Sequence, residues 1–213
     1  TLITYIKNMM LSEEDILKLD EKEDIKISII YKEYCRQLRE HHLMDYDDQM
    51  VYAYTMFRKF PQLLEHFQNL YPYICVDEAQ DTSKIQHAII ALLASKTENL
   101  FMVGDEDQSI YGFRAAYPEA LLSFEKNHAN ARVLLMEDNF RSNASIVEAA
   151  DQFIQKNTLR HEKHMRATKE RMEEIKEISL KSRKAQYSYL MKVADGCTTQ
   201  TAVLYRDNEC ILP

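Results

Sequence analysis

Tyr73-Ile74-Cys75-Val76-Asp77-Glu78-Ala79-Gln80-Asp81 is the stretch on which the reading of this chain turns. A short apolar, β-prone run that stops at two adjacent carboxylates predicts a buried parallel strand. Such a strand delivers acids to the carboxyl edge of a sheet, where open α/β folds place their ligands. An Asp-Glu pair there suits magnesium and phosphate chemistry: the first carboxylate holds Mg2+ through its water shell, and the second orients and deprotonates a water. A plainer reading is also open, a strand followed by an acidic helix start, because Asp and Glu favour the first helical turn on dipole grounds alone.

Working outward, Leu100-Phe101-Met102-Val103 predicts a second buried strand, which runs into Gly104-Asp105-Glu106-Asp107-Gln108-Ser109-Ile110-Tyr111-Gly112-Phe113-Arg114-Ala115-Ala116. Gly104 permits a tight turn, and the amide of Gln108 can contact a phosphate or an attacking water. Tyr111, Phe113 and Arg114 place two rings and a guanidinium in one loop. They form either a stacking platform for unpaired bases or plugs into the core. Arg132-Val133-Leu134-Leu135-Met136 predicts a third strand and Thr201-Ala202-Val203-Leu204-Tyr205 a fourth, with partial alternation over residues 174–180. After the third run, Asn139-Phe140-Arg141-Ser142-Asn143 puts Arg141 just before a helix that Ser142 or Asn143 caps, where it reaches a phosphate or is a surface charge.

Between these runs the pattern is helical. Ser12 starts one helix, and residues 24–43 form another whose Ile29, Ile30, Tyr34 and Leu38 mark a packed face. Asp45-Tyr46-Asp47-Asp48 opens a third helix and Pro61 a fourth through residue 70. Thr82 or Ser83 caps a helix carrying Ile85, Ile89, Leu92 and Leu93, Pro118 starts one to residue 127, and Ser182 caps one ending near Gly196. Residues 160–171 are rich in Lys, Arg and His without an apolar stripe, which predicts a solvated linker. His41-His42 beside Asp45 reads as a solvated helix end, since adjacent helical histidines point to different sides.

A net charge of -7 and a pI near 5.5 exclude a generally basic nucleic-acid coat, so any such contact must be local or supplied from outside this chain. Cys35, Cys75, Cys197 and Cys210 are far apart, with no C-x-x-C spacing, which predicts reduced thiols and a cytoplasmic protein. No apolar stretch approaches the length of a membrane span. The chain begins at Thr1 and holds only Gly104, Gly112 and Gly196 as glycines, which suggests an excised piece.

In their order these segments resemble the UvrD/PcrA/Rep-like superfamily 1 DNA helicases. Residues 73–82 look like the family's Walker B motif, residues 104–116 like GDxDQSIYxWRGA, and residues 139–142 like NYRS. Residues 45–48 and 202–208 are similar to the weaker DFDDL and AVLYR signatures. The resemblance implies ATP and Mg2+ as cofactors, with Asp77 holding the metal and Glu78 as general base. It implies that Gln108 senses the γ-phosphate, that Arg141 is an arginine finger, and that Phe140, where the family usually has Tyr, stacks near the adenine. Tyr111 and Phe113 would stack on single-stranded DNA, supported by Arg114. Phe113 replaces Trp and Ala115 replaces Gly, giving a smaller stacking face and a shifted backbone.

No G-x-x-x-x-G-K-[ST] occurs in the chain, so the lysine-bearing phosphate loop is absent from it. The expected architecture is α/β: incomplete RecA-like (P-loop NTPase) parallel-sheet domains with a helical insertion. Residues 1–43 belong to the insertion, 44–130 to the rear of the first RecA-like domain, and 131–213 to the opening of the second. The implied parent is an ATP-dependent helicase or translocase acting on single-stranded DNA and duplex junctions in repair or replication, with no membrane partner. The chain alone is expected to be inactive without the remaining helicase domains. The alternative is a truncated helicase-like binding module without ATPase activity.

Overall fold

The computed structural model describes residues 2–110, 112, 115–172 and 174–206. A polar cap sets the start of the second helix. Helix α1 (Leu2–Asn8) is followed by α2 (Glu13–Glu23), whose Ser12 cap accepts from Asp15 N at 3.1 Å, and by α3 (Ile27–Glu40). Ile6, Ile16 and Ile27 form their common core, with Leu2, Ile3, Leu11, Leu19 and Tyr31 packed around it. The packed face of α3 therefore runs through Ile27, Tyr31, Tyr34 and Leu38, and not through Ile29 and Ile30, which are exposed. The two faces share Tyr34 and Leu38, so helical spacing alone admits either register.

Helix α4 (Tyr46–Lys59) starts on a capping box: Asp45 accepts from Asp48 N at 2.7 Å and Asp48 accepts from Asp45 N at 3.2 Å. Lys7 closes this helix end from below, its Nζ lying 2.6 Å from Asp45 Oδ2 and 2.7 Å from Asp48 Oδ1. The Tyr34 hydroxyl donates to Asp45 at 2.7 Å and Asn8 Nδ2 donates to Asp47 at 2.8 Å, so one polar network ties α1, α3 and α4. Pro61 opens α5 (Pro61–Leu70), where a missing N–H costs nothing. Buried Gln68 donates to Leu92 O at 2.8 Å and to Ser95 Oγ at 3.1 Å, tying α5 to the carboxyl end of α6 (Lys84–Ala94).

Strands β1 (Ile74–Val76) and β2 (Leu100–Met102) pair in parallel, Ile74 with Leu100, Cys75 with Phe101 and Val76 with Met102. Helix α6 is the crossover between them and packs against β1, its start fixed by Gln86 Oε1, which accepts from both N and Oγ of Ser83 at 2.9 Å. Burial is one-sided: Ile74 and Val76 are half-buried, whereas Cys75 is exposed and Phe101 is 61% exposed. The expectation of strands buried on both faces is corrected accordingly, because α6 covers one face only. The helix expected from Pro118 is two short turns, α7 (Glu119–Leu122) and α8 (Phe124–Asn127), broken where Ser123 Oγ donates back to Glu119 O at 2.7 Å. Residues 132–136 form no strand: no described strand offers them a ladder, and Leu134 and Met136 are exposed.

The chain divides into two compact units, one holding everything up to Glu137 and again Asp151–His164, the other Asp138–Ala150 and the chain from Met165. In the second unit β3 (Asp138–Asn143) pairs in parallel with β4 (Arg166–Lys169), with a bulge between Asn139 and Asn143. Asn139 Oδ1 accepts from the backbone N of Arg141 at 3.0 Å and of Ser142 at 2.9 Å, which shapes the bulge. Asn143 Oδ1 accepts from Ile146 N at 3.3 Å at the start of α9 (Ala144–Ile154), and Ser182 caps α10 (Arg183–Gly196) by accepting from Ala185 N at 3.2 Å. Residues 174–180 and 201–205, expected as strands, carry none among the described residues, since nothing pairs with them. No helix among the described residues is long and apolar enough to cross a membrane. The result is a mixed architecture of helices and short parallel strands.

Candidate functional site

The ends of β1 and β2 are held side by side beyond the strands themselves. Val103 N donates to Val76 O at 2.8 Å and Ala79 N donates to Val103 O at 3.0 Å, so residues 77–81 turn directly over the loop that follows β2. Asp77 and Glu78 are both exposed there, and Asp77 Oδ1 accepts from Glu78 N at 2.9 Å. Glu78 takes a left-handed backbone, φ 48° and ψ 43°, which costs a non-glycine residue about 1–3 kcal/mol and persists only where neighbours over-determine it.

The over-determining neighbour is Gln80, only 2% exposed. Its Nε2 donates to Glu78 Oε2 at 2.7 Å, its Oε1 accepts from Asp105 N at 3.0 Å, and its carbonyl accepts from Ser109 Oγ at 3.2 Å. One side chain thus joins the carboxylate after β1 to the loop after β2. Gly104 is what allows this approach. A Cβ there would stand 2.8 Å from Gln80 Oε1, 2.9 Å from Leu121 Cδ1 and 3.2 Å from Ala79 N. Its φ is not in the left-handed region, so close approach rather than the expected tight turn is the reason for a glycine.

Asp105 caps the following 3-10 turn, accepting from Asp107 N at 3.2 Å, and its Oδ2 accepts from Gln108 Nε2 at 2.8 Å. The three consecutive acids of this loop are countered by residues 160–163. Arg160 grips Asp107 with two nitrogens, Nε at 2.9 Å from Oδ1 and Nη2 at 2.8 Å from Oδ2, a bidentate pair with both side chains at or below 10% exposure. His161 N donates to Glu106 at 2.8 Å. Lys163 Nζ lies 2.6 Å from Asp105, 3.1 Å from Glu106 and 3.4 Å from Asp107.

Burial alone would raise the carboxyl pKa values of Asp105 and Glu106. The donors to Asp105 (Lys163, Gln108 and Asp107 N) and to Glu106 (His161 N and Lys163 among them) outweigh burial and hold both groups below their ordinary values. Burial would likewise depress Lys163, and its bonds to Asp105 and Glu106 hold it above its ordinary value. The solvated linker expected over residues 160–171 is therefore corrected: its first part is a docked basic strap and its second contains β4.

A family model described as the UvrD/REP helicase N-terminal domain matches residues 1–129. The chain belongs to the UvrD/REP helicase family. Its relatives include the ATP-dependent DNA helicase PcrA of Staphylococcus epidermidis, 34% identical over 213 residues that cover 97% of this chain and 29% of that protein. PcrA of Staphylococcus aureus is 40% identical over 162 residues, covering 76% of this chain and 22% of that protein. The chain thus spans less than a third of the length of these curated relatives.

Within this UvrD/REP-family chain, Asp77, Glu78 and Gln108 lie in the first unit, at the two strand ends that Gln80 connects. Phe140, 73% exposed, and Arg141, also exposed, stand on β3 in the second unit. Tyr111, Phe113 and Arg114 lie outside the described residues. Ala115 is described: it is buried and adopts φ 63°, the conformation a glycine takes freely. Sequence reasoning missed Gln80, Arg160 and Lys163. Gln80 stands two residues beyond Glu78, and the signal for it was a polar residue in a turn that must bury its backbone. Arg160 and Lys163 gave no local signal, since their partners lie 53 and 58 residues away.

Two exposed carboxylates at a strand's carboxyl end are hard oxygen donors that suit Mg2+, which keeps several waters and takes one or two protein carboxylates. No described group of three or more His, Cys, Asp or Glu forms a ready-made metal cage. The lysine of this cluster, Lys163, is committed to the acidic loop.

Proposed function

We propose that the chain is an internal part of an ATP-dependent DNA helicase or translocase of the UvrD type, serving DNA repair or replication in the cytoplasm. The observation that carries this reading is the Gln80 bridge, which sets the Glu78 carboxylate and the Gln108 loop at adjoining strand ends. The family membership and the helicase names of the PcrA relatives support it.

In this proposal Asp77 holds Mg2+ through its water shell, and the metal supplies charge neutralisation on the phosphates when bound. Glu78 accepts a proton from the attacking water at its carboxylate, with Gln80 fixing the orientation of that carboxylate. Gln108 contacts the γ-phosphate, Arg141 acts as an arginine finger, and Phe140 stacks near the adenine. Tyr111 and Phe113 stack on bases of single-stranded DNA with Arg114 in support, as residues adjoining the Gln108 loop in sequence. Residues 1–43 are assigned to a helical insertion, 44–130 to a first RecA-like domain and 131–213 to the opening of a second.

Because the sequence has no lysine-bearing phosphate loop, the isolated chain does not hydrolyse ATP in this account. The purified chain, assayed with ATP, Mg2+ and single-stranded DNA, is expected to release no phosphate above background. A robust DNA-stimulated rate would overturn the assignment of the missing loop to the rest of a parent protein.

A further inference from the structure

We propose that Lys163 is a positioning residue that fixes the amide of Gln108 through Asp105, an inference that rests on the reading of Gln108 as part of the hydrolytic site. Asp105 uses its two oxygens for different tasks. Oδ2 accepts from Gln108 Nε2 at 2.8 Å, while Oδ1 accepts from Lys163 Nζ at 2.6 Å and from Asp107 N at 3.2 Å. Lys163 therefore stands directly behind the carboxylate that grips Gln108. Gln108 itself is exposed, and among the described residues its side chain bonds to Asp105.

The loop needs such a cation. Asp105, Glu106 and Asp107 are consecutive, and the side chains of Glu106 and Asp107 are 5% and 10% exposed. Partly buried like charges repel strongly unless each is paired. Among the described residues Lys163 is the cation within 4 Å of all three, whereas Arg160 bonds Asp107 and His161 pairs with Glu106. When the strap docks, the acids are neutralised and Asp105 is set for Gln108. The strap is itself held by Gln155, just beyond α9 in the same unit, whose Nε2 donates to Lys163 O at 2.9 Å and whose Oε1 accepts from Arg160 Nη1 at 2.8 Å.

The test is the side-chain amide resonance of Gln108 in the 15N-labelled chain, assigned by its loss in Gln108→Ala. Lys163→Met is expected to move this peak to the position of a solvent-exposed glutamine amide, Lys163→Arg to keep it in place, and Arg160→Met to move it far less than Lys163→Met. A peak unmoved in Lys163→Met, or moved equally by Arg160→Met, overturns the proposal. Should Lys163→Met not fold, the double variant Lys163→Met with Glu106→Gln lightens the repulsion, and the same two outcomes decide. In the parent helicase Lys163→Met is expected to lower kcat for ATP about a hundredfold, with KM little changed and Lys163→Arg restoring the rate. A moved peak with full kcat keeps the positioning and refutes the catalytic part of Gln108; an unmoved peak refutes the positioning whatever the rate.

Discussion

Lys7 offers the sharpest test of how the helical part of the first unit is held. Its side chain is 1% exposed and stands between Asp45 and Asp48, which are 24% and 12% exposed. Lys7→Met keeps the volume and removes the charge, leaving two carboxylates facing each other at the start of α4. Breaking a buried pair from one side costs about 3–5 kcal/mol. The amino end of α4 returns part of this, about 0.3–1 kcal/mol through its dipole. The net expectation is a loss of about 2–4 kcal/mol, a large share of the roughly 5–15 kcal/mol that holds a domain together.

Urea unfolding followed by circular dichroism should show a lower midpoint with an unchanged slope. Burial alone would raise the pKa of Asp45, but donors from Lys7, Asp48 N and Tyr34 hold it below its ordinary value. A depressed carboxyl contributes stability that is present above its unfolded value, about pH 3.9, and is lost as pH falls through the folded value. In Lys7→Met the Asp45 carboxyl loses its Lys7 donor and takes up a proton more readily, so the gap between wild type and variant should narrow below about pH 4. A loss under about 0.5 kcal/mol at pH 7 would refute the reasoning, because it would place Lys7 among exposed pairs.

Two further substitutions probe the site. Gly104→Ala drives a methyl toward Gln80, Leu121 and the Ala79 backbone, and overpacking of this kind costs about 1–3 kcal/mol; unchanged stability in the same urea assay would show that the Gln80 bridge is not tightly packed. Ala115→Gly relieves a left-handed alanine worth about 1–2 kcal/mol but adds chain entropy of about 0.4–1 kcal/mol and removes a buried methyl of about 0.8 kcal/mol. The terms nearly cancel, so the stability should be almost unchanged, and a loss beyond about 1.5 kcal/mol would contradict the left-handed strain at Ala115.

What the sequence made legible was local. Ser12, Asp45, Pro61, Ser83 and Ser182 each sit at the helix start that their side chains predict, because capping is decided within three or four residues. The two apolar runs that end in acids, with a helix between them, are both strands as their composition predicts, and the structure pairs them in parallel. Non-local features were not legible. The charges of residues 160–163 look like those of any linker until Asp105, Glu106 and Asp107 are brought against them. Residues 132–136 and 201–205 have strand-like composition, yet a strand exists only where a partner supplies its ladder. At the site, the carboxylates and Gln108 could be picked out by residue type, while the tie between them through Gln80 needed coordinates.

The most direct measurement is ATP hydrolysis by the parent helicase carrying Glu78→Gln, read beside nucleotide binding, with single-stranded DNA present. Loss of a general base is expected to lower turnover by about 10²–10⁴-fold while nucleotide affinity holds. Normal turnover in Glu78→Gln would contradict the account, since the carboxylate that Gln80 holds at the end of β1 would then have no part in the reaction.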